Sequence, residues 1–406
     1  MIAPAAGRVA FRHRNFRYYL PARFLATAAS EMQAVGVAWQ IYGLTGRPLD
    51  LGLVGLAQFL PGIVLFLVAG HAADRYPRRR ILVICWAAFA CCSLALLALS
   101  LHGLRTVWPI YAVLVANGVV RAFNAPTAQA FFPQLVPEED FPNAVSWGSS
   151  IFQAALSLGP LLGGLIYGFA GSPVPVYCCA AAAYLCGLAL LSTVRVSIAP
   201  RPRGVSMDVL LGGIRYIWSH KVLLGAISLD LFAVLLGGAV ALLPVYAGEI
   251  LKIGARGLGI LRAGPGLGAI LTAILIAHRP LRRKVGAAML WCVCGFGLMT
   301  IVFGLSRNLA LSLAALVLIG ACDMVSVIVR HTLVQLRTPD EMRGRVSAVN
   351  MVFIGASNEV GQFESGVTAQ WLGTVPAVVA GGIGTIVIVA LWAKLFPALR
   401  EVDKLT

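Results

Sequence analysis

The sequence predicts an all-α membrane protein: twelve transmembrane helices in two six-helix bundles related by a parallel pseudo-two-fold axis. Three observations lead there. Of 406 residues, 59% are hydrophobic and 12% charged, against about 25% charged in a soluble domain. Twelve apolar segments are long enough to cross a bilayer. One pattern of marks also occurs twice. Pro61-Gly62 and Arg75-x-x-Arg78-Arg79-Arg80 return as Pro265-Gly266 and Arg279-x-x-Arg282-Arg283-Lys284, both 204 residues later. Gln134-Leu135, Glu139-Asp140 and Val145-Ser146 return as Gln335-Leu336, Asp340-Glu341 and Val346-Ser347, all 201 residues later. Marks kept in register at half the chain length indicate two similar halves.

The expected spans are 18–43, 50–70, 80–102, 108–126, 144–170 and 173–195, then 221–247, 256–278, 286–306, 309–330, 346–370 and 374–396. Outer-membrane strands would alternate apolar and polar residues; runs such as Ala87–Leu101 do not. The run Tyr18–Tyr42 is too long for a signal-peptide core and lacks a cleavage pattern, so it reads as the first retained helix. With the N-terminus inside, 24 of the 32 Lys and Arg fall in cytoplasmic segments and five in outer loops. That asymmetry places both termini in the cytoplasm. The net charge of +16 therefore points to the membrane surface rather than to nucleic acid.

Each half holds six spans, 1–199 and 221–406. Between them, 200–220 opens with the linker Pro200-Arg201-Pro202-Arg203. Met207, Leu210, Leu211, Ile214 and Ile217 then recur at helical spacing, with Asp208, Arg215 and Ser219 off the stripe. This predicts a short amphipathic helix on the inner membrane surface. The nine cysteines all lie in apolar spans without zinc or redox spacing and read as buried small hydrophobes.

Twelve spans with a basic loop after the second resemble the major facilitator superfamily. Its loop motif stands here as Gly70-His71-Ala72-Ala73-Asp74-Arg75-Tyr76-Pro77-Arg78-Arg79, with proline in place of the second glycine. In the second copy His278 stands where Asp74 would be. Gly159-Pro160-Leu161-Leu162-Gly163-Gly164 resembles the antiporter motif of the drug-efflux branch. The stretch from Ala125-Pro126 to Asn143-Ala144, and Gly361-Gln362-Phe363-Glu364-Ser365-Gly366, resemble the bacterial branch of enterobactin exporters and transmembrane secretion effectors. The resemblance implies a monomeric drug–proton antiporter type of protein in the bacterial inner membrane.

No ATP engine is visible, since none of the five lysines follows a glycine as a P-loop requires. A gradient-driven carrier instead needs ionisable groups within its spans, which cost at least about 2.5–3.5 kcal/mol each at the bilayer centre. The candidates for proton coupling or the substrate cavity are Arg23, Glu31, Arg121, Asp230, Glu359 and Glu364. Glu31 and Asp230 hold matching places on spans 1 and 7, which the resemblance puts on the cavity wall. The alternative at each is an ion pair or polar lock between helices. Glu359 and Glu364 lie about 140° apart around a helix and cannot share a face. Glu364 sits among small residues, so packing is favoured there.

Asp74, Arg75, Arg78 and Arg79 are expected to form a cytoplasmic gate with Asp340 and Glu341, the alternative being contact with anionic lipid. Thr338-Pro339-Asp340-Glu341 matches a capping box that would start a short helix before span 11. Asp323, two turns before Arg330 on one face, is assigned to the same gate or to structure. Gly159, Pro160, Gly163 and Gly164 predict a bent, closely packed span 5. Pro61-Gly62 and Pro265-Gly266 predict matched bends in spans 2 and 8. The six histidines lack metal spacing and read as interfacial.

These readings converge on a proton-coupled exporter of a small amphipathic organic molecule, siderophore-like or drug-like, acting by alternating access without a cofactor. The expected partners are that substrate, protons and membrane lipids. The alternatives are a metabolite importer or uniporter of the same fold and a non-transporting membrane receptor. A membrane-embedded enzyme would need a nucleophile–base set or a metal cluster, and none is found.

Overall fold

A computed structural model describes residues 6–196, 207–279 and 283–403. Among these the chain is helical, without strands. After a 3-10 turn at Ala6–Arg12 come α1 (Arg14–Thr45), α2 (Pro48–Arg75), α3 (Arg78–Leu101), α4 (Trp108–Phe131), α5 (Phe141–Ala170) and α6 (Val174–Thr193). Then follow α7 (Met207–Ser219), α8 (Lys221–Leu236), α9 (Leu243–Val245), α10 (Gly254–His278) and α11 (Val285–Leu305). The chain ends with α12 (Leu309–Arg337), α13 (Asp340–Leu372), α14 (Thr374–Leu395) and α15 (Pro397–Arg400). Among the described residues, nine segments are long and apolar enough to cross a membrane. The long helices α1, α4 and α13 fall outside that set, and the ionisable candidates Arg23, Glu31, Arg121, Glu359 and Glu364 lie on them.

The chain divides into two compact units: residues 1–40 with 60–205, and residues 41–59 with 206–406. In the first, an aromatic core gathers Phe16, Tyr19, Trp86, Phe131 and Tyr184. Polar side chains in its helices find partners, as burial demands. Ser93 donates to Gln33 at 2.5 Å, Tyr177 to Gln40 at 2.7 Å and Trp86 Nε1 to Asn124 at 3.1 Å. Phe11 meets Trp147 edge-on at 5.1 Å, and Ala10 N donates to Asn143 at 3.2 Å, fastening the N-terminal turn to α5.

The second unit relies on backbone-to-backbone contact. A methyl group added at Gly268 would lie 1.8 Å from the carbonyl oxygen of Val317, and one at Gly320 would lie 1.9 Å from that of Pro265. Only glycine lets α10 and α12 approach so closely. Pro265 therefore sits at a helix contact, whereas Gly62, beside Pro61, has no heavy atom within 4 Å of an added methyl group. The two Pro-Gly marks match in sequence and differ in surroundings. Asn308 caps α12 by accepting from Ala310 N at 2.8 Å and Leu311 N at 3.2 Å.

Three expectations need correction. The span expected at 221–247 falls in the apolar segment Lys221–Ile250, but it is not one continuous helix. After α8 the chain passes through a 3-10 turn at Ala239–Leu242, through α9, and into a π-helical turn at Tyr246–Ile250. Methyl groups on Gly237 and Gly238 would lie 2.4 Å from Phe296 and 2.5 Å from Ser365, so close packing selects two residues that weaken a helix. The capping box does not form either. Pro339 holds the N-cap position of α13, and the buried Thr338 Oγ1 has no hydrogen-bond partner among the described residues. The residue before a proline is driven extended, and Thr338 obeys at φ −114°, ψ 124°. The helix that starts there is α13 itself, unbroken over its 33 residues. Finally, of the nine free cysteines only Cys85 and Cys92 are buried, while Cys91, Cys178, Cys179 and Cys186 are exposed.

Candidate functional site

In the first unit, α1 carries Arg23 and Glu31, and α5 presses a glycine face against it. A methyl group at Gly159 would lie 2.6 Å from Glu31 Cβ and 2.9 Å from the carbonyl oxygen of Ala28. At Gly163 it would lie 2.8 Å from the Met32 carbonyl oxygen. The Gly-Pro-x-x-Gly-Gly segment, with Pro160 and Gly164 buried beside these contacts, thus sets the position of the turn that bears Glu31. Glu31 is half-buried and Arg121, on α4, is exposed. The buried Tyr184 hydroxyl, hydrogen-bonded to Ser30, feels the charges of both. Arg23 lies between two aromatic faces, 5.1 Å from the Phe152 ring centroid and 5.6 Å from that of Phe132. A cation held this way keeps its charge while its body rests on apolar surface.

In the second unit, Asp230 on α8 is 5% exposed and forms an ion pair with Arg330 Nη1 on α12, which is 2% exposed. Asp230 is therefore held by a partner rather than displayed on an open wall. Asp323, assigned from the sequence to the gate or to structure, lies beside this pair. It lines a cavity of about 10 Å3 together with Asp230, Ser326, Val293 and Phe296. Asp323, Ser326 and Arg330 follow at i, i+3 and i+7, one face of a helix. The two units share a pattern: an acid on their first long helix and an arginine on the fourth of each expected six-span half.

The remaining candidates lie elsewhere. Glu364 accepts from Thr368 Oγ1 one turn later at 2.7 Å. Gly361 on the same helix abuts the Leu235 carbonyl oxygen, 2.9 Å from an added methyl group. Glu359 Oε2 accepts from Gln362 at 3.5 Å and faces Gly55 of α2. Of the proposed gate, Arg78 donates to the carbonyls of Ala130 at 2.8 Å and Ala73 at 3.4 Å, and Arg79 to that of Ser192. Arg75 is exposed. The side chains of Asp74, Asp340 and Glu341 lie outside those described. The amphipathic stripe is described from Leu211 onward, and Gly213 of α7 rests on α13, 2.8 Å from the Arg345 carbonyl oxygen for an added methyl group.

Sequence reasoning missed Tyr42 and Glu249, joined by a short hydrogen bond within the second unit. Glu249 lies in the π-helical turn, a rare geometry that marks functional positions. It also missed Ser326, a hydroxyl without distinction in a run of apolar residues. Among the described residues no cluster of His, Cys, Asp or Glu could hold a metal ion.

Comparison with known proteins sets these groups in a family. The model of the transmembrane secretion effector proteins matches residues 5–406. The chain belongs to that family. It is 26% identical over 395 residues to the enterobactin exporter EntS of Shigella boydii serotype 4, covering 96% of this chain and 93% of that one. The same protein of Escherichia coli O1:K1 is equally similar, with the same coverage. Among solved structures, a bacterial homolog of the human lysosomal transporter Spinster superposes with a TM-score of 0.74 at 14% identity, over 96% of this chain and 98% of that one. A bacterial homologue of the iron transporter ferroportin gives 0.70 at 14%, over 96% and 99%. The fold is that of the major facilitator transporters, and the chain is a multi-pass membrane transport protein of the bacterial inner membrane, not an enzyme.

Proposed function

We propose that this protein is a proton-coupled secondary active exporter of a small amphipathic organic molecule, siderophore-like or drug-like, working by alternating access from the inner membrane with both termini in the cytoplasm. The observation that carries the reading is the Tyr184 hydroxyl of α6 under the charges of Glu31 on α1 and Arg121 on α4, with the Glu31 turn set by Gly159 and Gly163. It joins a half-buried carboxyl, able to take or give a proton, to an exposed guanidinium. Protonation of Glu31 would make the group around Tyr184 more positive by one charge, so one proton changes what the site attracts. Arg23 between Phe132 and Phe152 suits a molecule with both an anionic and a flat apolar part. The similarity to enterobactin exporters supports the outward direction and the size of the cargo.

The test uses everted membrane vesicles with an imposed pH gradient and two probes, enterobactin and ethidium. Accumulation of either probe that collapses on adding a protonophore is the expected result. Accumulation indifferent to the gradient would point to a uniporter, and accumulation only in right-side-out vesicles to an importer. Binding without flux in proteoliposomes would point to a receptor.

A further inference from the structure

The cavity beside Asp230 and Asp323 contains an imbalance. Two carboxylates, Asp230 and Asp323, stand against one guanidinium, Arg330, and Asp230 is the one paired with it. With both acids ionised the cluster carries one uncompensated negative charge. Charge removed from water is retained only where it is paired. Ser326 adds a second, independent observation. It is 1% exposed, lines the cavity, and its hydroxyl has no hydrogen-bond partner among the described residues. A buried hydroxyl without a partner is costly, so a polar group in this cavity would stabilise it. The cavity, at about 10 Å3, has room for one water molecule.

We propose that this cavity is a proton-binding site, with Asp323 as the carboxyl that takes the proton and one water bridging it to the Ser326 hydroxyl and to Asp230. The proposal rests on the proton-coupled reading above and assigns the titrating role in the second unit to Asp323 rather than Asp230. Uptake adds one proton to a carboxylate oxygen of Asp323 and breaks no bond in the cluster. The local charge goes from minus one to zero. Release hands that proton to the bridging water and on to solvent. Asp230 and Arg330 are positioning residues, since their ion pair fixes one wall and holds α12 to α8.

The other titratable groups nearby are few. Cys322 lies beside Asp323 and is hydrogen-bonded to Cys292 of α11. His331 adjoins Arg330 on α12. On α13, Glu359 and Glu364 are engaged with Gln362 and Thr368. No charged side chain of α10, packed on α12 through Gly268 and Gly320, lines the cavity.

The experiment is infrared difference spectroscopy of the full-length protein in detergent, between acidic and alkaline pH, in sodium and in choline chloride. Wild type should show a protonated-carboxyl band that is lost in Asp323→Asn and shifted in frequency in Ser326→Ala. The band should persist in Glu31→Gln, which leaves the residues lining this cavity unchanged, and should be the same in both salts. An unchanged spectrum in Asp323→Asn overturns the proposal, as does a band displaced by sodium at constant pH, which would make this a sodium site. If Asp323→Asn does not fold, Ser326→Ala decides: a shifted band supports the proposal and an unshifted one overturns it. Ethidium transport in everted vesicles separates this site from the export reading. A titrating Asp323 band without gradient-driven transport leaves the site standing and fells the export reading. Gradient-driven transport with an unchanged Asp323→Asn spectrum does the reverse.

Discussion

Gly159 touches the turn that carries Glu31: a methyl group on the glycine would lie 2.6 Å from Glu31 Cβ. The contact joins the antiporter-like motif on α5 to the half-buried acid on α1. Ala28, with its carbonyl oxygen 2.9 Å away, offers no flexible side chain to move aside. Gly159→Ala should therefore destabilise the protein by about 1–3 kcal/mol, the usual cost of overpacking. Gly62→Ala is the control. Gly62 also lies inside a helix but faces open space, and alanine gains about 0.5–1 kcal/mol over glycine there. Thermal unfolding in detergent should lower the midpoint of the first variant and not of the second. Equal midpoints would remove the argument that this glycine face sets the acid's position.

The ion pair of Asp230 and Arg330 lends itself to a different measurement. Asp230→Asn breaks the buried pair with Arg330, a loss of up to about 3–5 kcal/mol by precedent for buried pairs, lessened by the Asp323 carboxylate in the same cluster. Replacing both partners, Asp230→Leu with Arg330→Met, removes the charges together and should recover most of that loss. Unfolding of the single and double variants reads the difference as a coupling energy. Additive losses would mean that the two side chains do not depend on each other.

Tyr42 and Glu249 predict a local effect rather than a global one. A hydrogen bond to a charged group contributes about 1.5–3 kcal/mol. Its loss in Tyr42→Phe should speed amide hydrogen exchange in the π-helical turn Tyr246–Ile250 by about tenfold or more, since 1.4 kcal/mol is a factor of ten. Exchange in α6 should not change, because nothing in that helix depends on this bond. Uniform acceleration in both helices would show a general loosening instead.

Long-period features were legible in the sequence because they repeat. Apolar runs gave away the helices, while matched marks 201 and 204 residues apart were read as two halves whose bounds differ from those of the two compact units. Glu31, Arg121 and Asp230 stood out because charge is conspicuous in an apolar run. What stayed hidden depends on distances across the chain. Tyr42 and Glu249 are 207 residues apart, and no local pattern links them. The role of Ser326 comes from what its hydroxyl lacks, which a string of letters does not show. Arg330 was visible on the same face as Asp323, yet its partner sits on α8, 100 residues earlier. The break after α8 is written as Gly237-Gly238, but glycine pairs abound in this chain, and only the neighbours Phe296 and Ser365 explain why this one interrupts a helix.

The last prediction concerns how the two acids divide the work. Glu31 and Asp323 are both half-buried, the first acting with the exposed Arg121 on Tyr184 and the second lining a cavity with the buried Asp230, whose partner is Arg330. Glu31→Gln keeps the size and much of the hydrogen bonding of the side chain but cannot titrate. The Ser30–Tyr184 hydrogen bond needs no charge on residue 31, so the variant should fold with an unchanged melting temperature. Proton release on adding ethidium to the protein in lightly buffered detergent, followed with a pH-indicator dye, should fall in Glu31→Gln. It should fall again, by an independent amount, when Asp323→Asn is added, because the two acids belong to different compact units. If Glu31→Gln alone abolishes all release, Asp323 plays no part in the exchange. If it changes nothing, the coupling role of Glu31 is lost, and the acid beside Gly159 serves only to bind Arg121 or the cargo.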